Sequence, residues 1–170
     1  MTNLHRANKT WTKGLVAFVI TLAVFMPSGC STRHAKAPAP AATKVAVFDV
    51  DIYRGVDANP NSGLASLAPG QFRFNPTLST FLLPAQAPVL KACNYRFHLT
   101  DVAHDPPQPN DTGNVTGLPG YIATYDDNPP GHWGIQQPNG VTPDEAKAAV
   151  SAYALLNRGN VVNGTQNNCN

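Results

Sequence analysis

Cys93-Asn94-Tyr95-Arg96-Phe97-His98-Leu99-Thr100 is the stretch on which the fold turns. Apolar side chains at 93, 95, 97 and 99 alternate with polar ones at 94, 96, 98 and 100, the period of a strand with one face buried. The apolar run from Val89 extends this strand candidate towards its start. Working outward, Phe48, Val50 and Ile52 alternate with Asp49, Asp51 and Tyr53, and Gln71 to Asn75 repeats the pattern. Phe81-Leu82-Leu83 and Tyr121 to Tyr125 are shorter strand candidates. Gly, Pro and Asn punctuate these runs, as at Asn59-Pro60-Asn61 and Pro69-Gly70.

One helix is signalled. Thr142-Pro143-Asp144-Glu145 places a hydroxyl cap, a first-turn proline and a glutamate three residues after the cap. Ala146, Val150 and Tyr153 then recur on one side, which can pack on a sheet, and Gly159 is expected to stop the helix in a left-handed turn. The fold expected is mainly β, a small sandwich or curled antiparallel sheet of five to seven strands with this one C-terminal helix. An α+β sheet with the helix on one face is the alternative. Residues 105–143 hold eight of the chain's sixteen prolines and read mostly as loop.

The first 29 residues are organised as an export signal. Arg6, Lys9 and Lys13 make a basic start, and Leu15 to Met26 is an apolar run interrupted only by Thr21. At about 1.5 Å per residue, twelve helical residues span roughly 18 Å, short of the ~30 Å of bilayer hydrocarbon. The run ends at Pro27-Ser28-Gly29-Cys30. That ending resembles the lipobox of bacterial lipoproteins, whose small residues precede the cysteine that receives lipid. Ser28 and Gly29 match, while Pro27 stands where a leucine-like residue is usual. The resemblance implies cleavage before Cys30, lipid on Cys30, and anchorage in the cell envelope. Ser31 is not the aspartate that in the family holds a lipoprotein at the inner membrane, so an outer-membrane location is implied where the host has two membranes. Residues 30–44 are then an Ala/Pro-rich tether, whose fourteen residues after Cys30 reach roughly 40 Å in polyproline geometry. Residues 45–170 form a single globular domain.

Charge follows this division. The whole chain carries +2, but six of its twelve basic residues, and none of its ten acids, lie before Val45. The domain is therefore at −4 and has no basic footprint for nucleic acid. With Cys30 lipidated, Cys93 and Cys169 remain as a pair in an oxidising compartment and are expected to bridge.

Val45-Ala46-Val47-Phe48-Asp49-Val50-Asp51 resembles the first motif of the haloacid dehalogenase-like phosphatases, where such a pair of aspartates would act as nucleophile and general acid. Tyr53 departs from that pattern, and no lysine lies between Thr100 and Asp126-Asp127. Some 125 residues with one helix cannot build that family's helix-flanked sheet, so Asp49 and Asp51 read as solvated residues of an edge strand. His98, Asp101, His104, Asp105 and His132 are zinc-type ligands without a ligand spacing. Asp101, Asp105, Asp111, Asp126, Asp127 and Asn128 offer calcium-type oxygens without a loop motif to order them. No metal, cofactor or catalytic set is expected. The mature domain has neither Gly-x-Ser-x-Gly nor Ser-x-x-Lys, and Cys93 reads as structural.

The segment Tyr121 to Trp133 is the expected binding region. Tyr125, Asp126, Asp127, Asn128, His132 and Trp133 combine flat rings with carboxylates and an amide on a loop stiffened by Pro129-Pro130. Tyr121 is read as a core anchor. The expected function is that of an envelope lipoprotein acting by non-enzymatic contact with another envelope protein. A glycan- or small-ligand-binding lipoprotein is the alternative, and a phosphatase-like enzyme a distant third.

Overall fold

The structure, a computed structural model, describes residues 45–170. Cys30, the export signal and the tether lie outside the described residues. The fold is mainly β with one helix. Seven strands, β1 (Phe48–Val56), β2 (Leu78–Phe81), β3 (Cys93–Val102), β4 (Thr112–Val115), β5 (Ile122–Tyr125), β6 (His132–Gln136) and β7 (Val161–Asn163), accompany α1 (Pro143–Leu156). All pairings are antiparallel. β3 to β6 form a meander, β2 lies beside β6, and β1 pairs with both β2 and β3, closing a six-stranded barrel. β7 shares the outer edge of β3 with β4, taking its first half at Cys93 to Tyr95.

From Tyr95 onward the alternation read in β3 is the one observed, and Cys93, Tyr95, Phe97 and Leu99 are almost wholly inside. Asn94, expected on the polar face, is buried under β7, its side-chain amide donating to Asn163 O at 3.4 Å. Ile52, Leu78, Trp133 and Ile135 meet the four apolar side chains of β3 in one core cluster with Ala146, Val150 and Ala154 of α1. Gly113 and Ala123, register partners on β4 and β5, keep that side of the barrel narrow. The capping box forms as expected: Glu145 N–H donates to Thr142 Oγ1 (3.3 Å), and Thr142 N–H donates to Glu145 Oε2 (2.9 Å). Ser151 is buried and donates to the carbonyl of Leu67 at 2.6 Å, whereas Tyr153 is only half-buried. The helix closes at Asn157 rather than on a left-handed glycine: Gly159 sits in a 3-10 turn, and Asn157 binds Tyr153 O through both its backbone and side-chain N–H groups.

Three strand expectations are corrected, the shortest being Phe81-Leu82-Leu83, of which only Phe81 is strand, as the last residue of β2. Gln71 to Asn75 is not a strand, since Pro69–Gln71 forms a 3-10 turn and Pro69 and Pro76 cannot donate to a ladder. The alternation in Gln71 to Asn75 has another cause, because Phe72 and Phe74 plug the core on either side of Arg73, Phe72 edge-on to Tyr95 (6.0 Å) and Phe97 (6.3 Å). Val89 and Leu90 precede the strand and are exposed. The stretch 105–143 lies mostly outside strands, as expected, but it supplies β4 and β6 besides the β5 that its sequence marks. Seven of its eight prolines fall in the connections and Pro143 in the first turn of α1, places where a missing donor does no harm.

β1 is not a simple edge strand. It pairs with β3 from Phe48↔Val102 to Val56↔Cys93, but with β2 only at Tyr53↔Phe81. Beyond that single pair the seam is spanned by Arg54, whose Nε donates to Gln71 O (3.1 Å) and Nη1 to Ser79 O (3.0 Å). Burial, with Arg73 nearby, lowers the pKa of this guanidinium, against the opposing pull of Asp57. Asp49 and Asp51 sit on the half of β1 that lacks a second partner. Asp51 is no free carboxylate, for it meets His98 at 2.9 Å and Arg96 at 3.5 Å.

Cys93 and Cys169 stand at bonding distance, with Cα atoms 5.7 Å apart. The Asn-rich tail is laid along the start of β3, its amides at Gly164, Thr165 and Gln166 donating to the carbonyls of Ala92, Lys91 and Ala92. A Cβ on Gly164 would lie 2.3 Å from Lys91 O, so glycine is required for this approach.

Candidate functional site

The expected binding segment is the β5–β6 hairpin, and its loop runs from Asp126 to Gly131. Tyr125 and Trp133 are register partners on the inward face. Trp133 is fully buried and Tyr125 nearly so, with rings 5.1 Å apart. These two rings therefore belong to the core and offer no contact surface, which corrects the reading of both as binding aromatics. The strand period explains it, because β5 turns Ala123 and Tyr125 inward and β6 turns Trp133 and Ile135 inward.

The polar members of the segment organise the loop. Asp127 has φ 52° and accepts from Tyr125 Oη (2.5 Å) and Gly131 N–H (2.7 Å). Those two bonds hold the Asp127 carboxyl below its usual pKa, while burial, reinforced by Asp127, pushes the Tyr125 phenol up to about 12. Gly131 occupies φ 81°, the left-handed region that favours glycine, and its carbonyl accepts from Leu82 N–H at 2.8 Å. That bond ties the hairpin loop to the segment after β2. Asn128 is exposed, and its backbone N–H donates to Asp126 Oδ1 at 3.1 Å.

His132 connects the loop to the barrel wall. Its Nδ1 lies 2.6 Å from Asp126 Oδ1, and its Nε2 lies 2.8 Å from Ser79 Oγ. A carboxylate on Nδ1 selects the tautomer with the proton there, leaving the Nε2 lone pair to accept the serine hydroxyl proton. The geometry is set by sheet register. Ser79 pairs with Gly134 and Phe81 with His132, so the imidazole leans diagonally across the ladder towards Ser79. A Cβ on Gly134 would come within 2.7 Å of Thr77 Oγ1, so the Thr77 side chain, just before β2, occupies the space over Gly134. Phe81 holds the imidazole edge-on at 5.3 Å between ring centres. The His132 side chain is 13% exposed and the Asp126 carboxylate 53%.

Ser79, Phe81 and His132 line a cleft of about 290 Å³, walled by Val89 and Pro129, with Arg54 and Lys91 also on its lining. Lys91 pairs with Asp57 at 2.8 Å. Beside the cleft, the β2–β3 connection exposes Leu83, Val89 and Leu90, each more than half accessible. Neither Ser79 nor this strap carries a sequence signal of a site. Ser79 and His132 are 53 residues apart, and no local pattern links them.

The zinc-type residues are scattered rather than gathered. His98 pairs with Asp51 and Asp49, His104 with Asp111, and His132 with Asp126. Among the described residues no group of three or more His, Cys, Asp or Glu converges on a metal position. Asp111, of the calcium-type set, is buried. Desolvation works to raise its pKa, but hydrogen bonds from Gln108 N–H and His104 outweigh it and leave the carboxyl lowered. In comparison with family models, curated proteins and solved structures nothing matches this chain, so the site stands on its geometry alone.

Proposed function

We propose that this protein is a lipoprotein of the cell envelope, anchored through Cys30, in the outer membrane where the host has two. It acts by docking a partner protein on the face formed by the β2–β3 strap and the β5–β6 loop. The observation that carries the docking reading is the exposure of Leu83, Val89 and Leu90 along the β2–β3 connection, aliphatic side chains left to water, with Val89 walling the cleft. Asp126 and Asp127 at its margin, on a domain of net charge −4, favour a partner with a basic rim. A glycan is disfavoured, because the rings suited to stacking on sugar face the core.

The test combines anchor and face in living cells. The unaltered chain should label with a palmitate analogue and Cys30→Ala should not. A photo-crosslinking amino acid at Val89 should then yield a discrete protein adduct that disappears when Leu83 and Leu90 are both changed to serine. Both serines lie on exposed positions, so the melting temperature should hold. Labelling that survives Cys30→Ala would refute the anchor, and a correctly anchored protein giving no adduct at Val89 would refute the docking face.

A further inference from the structure

We propose that Ser79 is a nucleophile activated by His132 and oriented through Asp126, and that the protein hydrolyses small carboxylic esters in the cleft beside Phe81. This goes beyond the docking reading and departs from the expectation of a non-enzymatic protein. It rests on a different observation, the unbroken chain Asp126 Oδ1–His132 Nδ1 (2.6 Å) and His132 Nε2–Ser79 Oγ (2.8 Å).

Serine is a poor nucleophile unless a base removes its proton as the bond forms. His132 is placed for that, with its acceptor nitrogen on Ser79 and its donor nitrogen on a carboxylate that stabilises the imidazolium. Asp126 is itself held by Asn128 N–H, and the loop that carries it is fixed by Asp127 and by the Leu82–Gly131 bond. The three side chains come from two strands and a braced loop, which keeps their separations short without a strand-to-helix elbow. Water is partly excluded from the imidazole by Phe81.

The reaction follows from these positions. Ser79 Oγ bonds to the ester carbonyl carbon while its proton passes to His132 Nε2. The carbonyl oxygen becomes an oxyanion in a cleft whose lining includes the Arg54 guanidinium, while the other cation there, Lys91, is already paired with Asp57. Collapse breaks the bond to the alcohol oxygen, which leaves with the proton from Nε2, and an acyl-Ser79 remains. Water then attacks that acyl group, delivers its proton through Nε2 to Ser79 Oγ, and releases the carboxylic acid. A volume of about 290 Å³ is at the lower end of ligand pockets, which limits the substrate to a short acyl group on a small alcohol.

A hydrogen-bonded chain that merely clips β2 to the hairpin would leave Ser79 unreactive, and covalent labelling separates the two roles. The full chain, purified in detergent, is treated with diisopropyl fluorophosphate and mapped by peptide mass spectrometry, and p-nitrophenyl acetate hydrolysis is followed alongside. We expect one adduct, on Ser79, and ester hydrolysis that is lost together with labelling in Ser79→Ala. His132→Gln should slow labelling by about 10³-fold, and Asp126→Asn by at least about tenfold, since water can partly replace an exposed carboxylate. Absence of a Ser79 adduct on the unaltered folded chain would overturn the proposal whatever the variants do. So would a His132→Gln protein of unchanged near-UV dichroism that still labels at the original rate.

Discussion

Replacing Trp133 by alanine should destabilise the domain by roughly 3 to 5 kcal/mol, the usual loss for emptying a buried aromatic site. The indole is fully buried, stacks obliquely on Tyr125, and shares the barrel interior with Ile135 and Leu78. Its neighbours come from both sides of β6, so no single element can collapse into the space. For a domain of this size the melting temperature should fall by roughly 10 to 20 °C. Trp133→Phe should lose much less, because Nε1 has no hydrogen-bond partner among the described residues and no polar group is orphaned by the change. Calorimetry of the three proteins checks this. An alanine variant melting within two or three degrees of the parent would mean that the ring is not a core residue.

The second large effect concerns the Cys93–Cys169 pair. Cys169→Ser should reduce stability by about 2 to 5 kcal/mol, chiefly by restoring freedom to an unfolded chain that the bridge had closed across 76 positions. Cys169 is fully buried, so a serine hydroxyl there adds a desolvation cost. Two contacts confine the damage to one region: Cys169 O accepts from Ala65 N–H at 2.8 Å, and Cys169 N–H donates to Asn163 Oδ1 at 3.2 Å. Loss of the bridge should therefore loosen the tail and β7 first and then the segment at Ala65. Thermal melts with and without reductant, together with a thiol count on the unreduced protein, are decisive. Two free thiols before reduction, or no shift in melting on reduction, would refute it.

Much of the scaffold could be read from local pattern because its causes are local. β3 declares itself through strict alternation, α1 through Thr142 and Glu145, and the bridge through the residue count once Cys30 is set aside. Barrel closure could not be read, because it depends on β1 finding partners on both edges, one of them at a single residue pair. The site was half legible. Asp126 and His132 stood out as polar residues in a stiff loop, but Tyr125 and Trp133 beside them were misjudged. A side chain's face is fixed only when β5 and β6 pair, and in a proline-rich context their alternation is hard to trust. Ser79 has no signature of its own, as it is one small polar residue between Leu78 and Thr80 on a four-residue strand. It acquires meaning only from the register that places Gly134 opposite and His132 on the diagonal.

The unequal pairing of β1 also sets how the molecule breathes. A barrel stitched evenly all round has no preferred place to open, whereas this one is closed at its seam by one residue pair and the Arg54 guanidinium. Arg54 works as a clasp, and one of the two backbone carbonyls it holds belongs to Ser79. Brief opening of the clasp would part β1 from β2 while leaving β1 on β3 and β2 on β6, so amide exchange with solvent should be fastest along this seam and slowest between β1 and β3. The serine thus sits on the lip of the barrel's weakest joint, and a ligand that wedges into the neighbouring cleft meets a wall able to give.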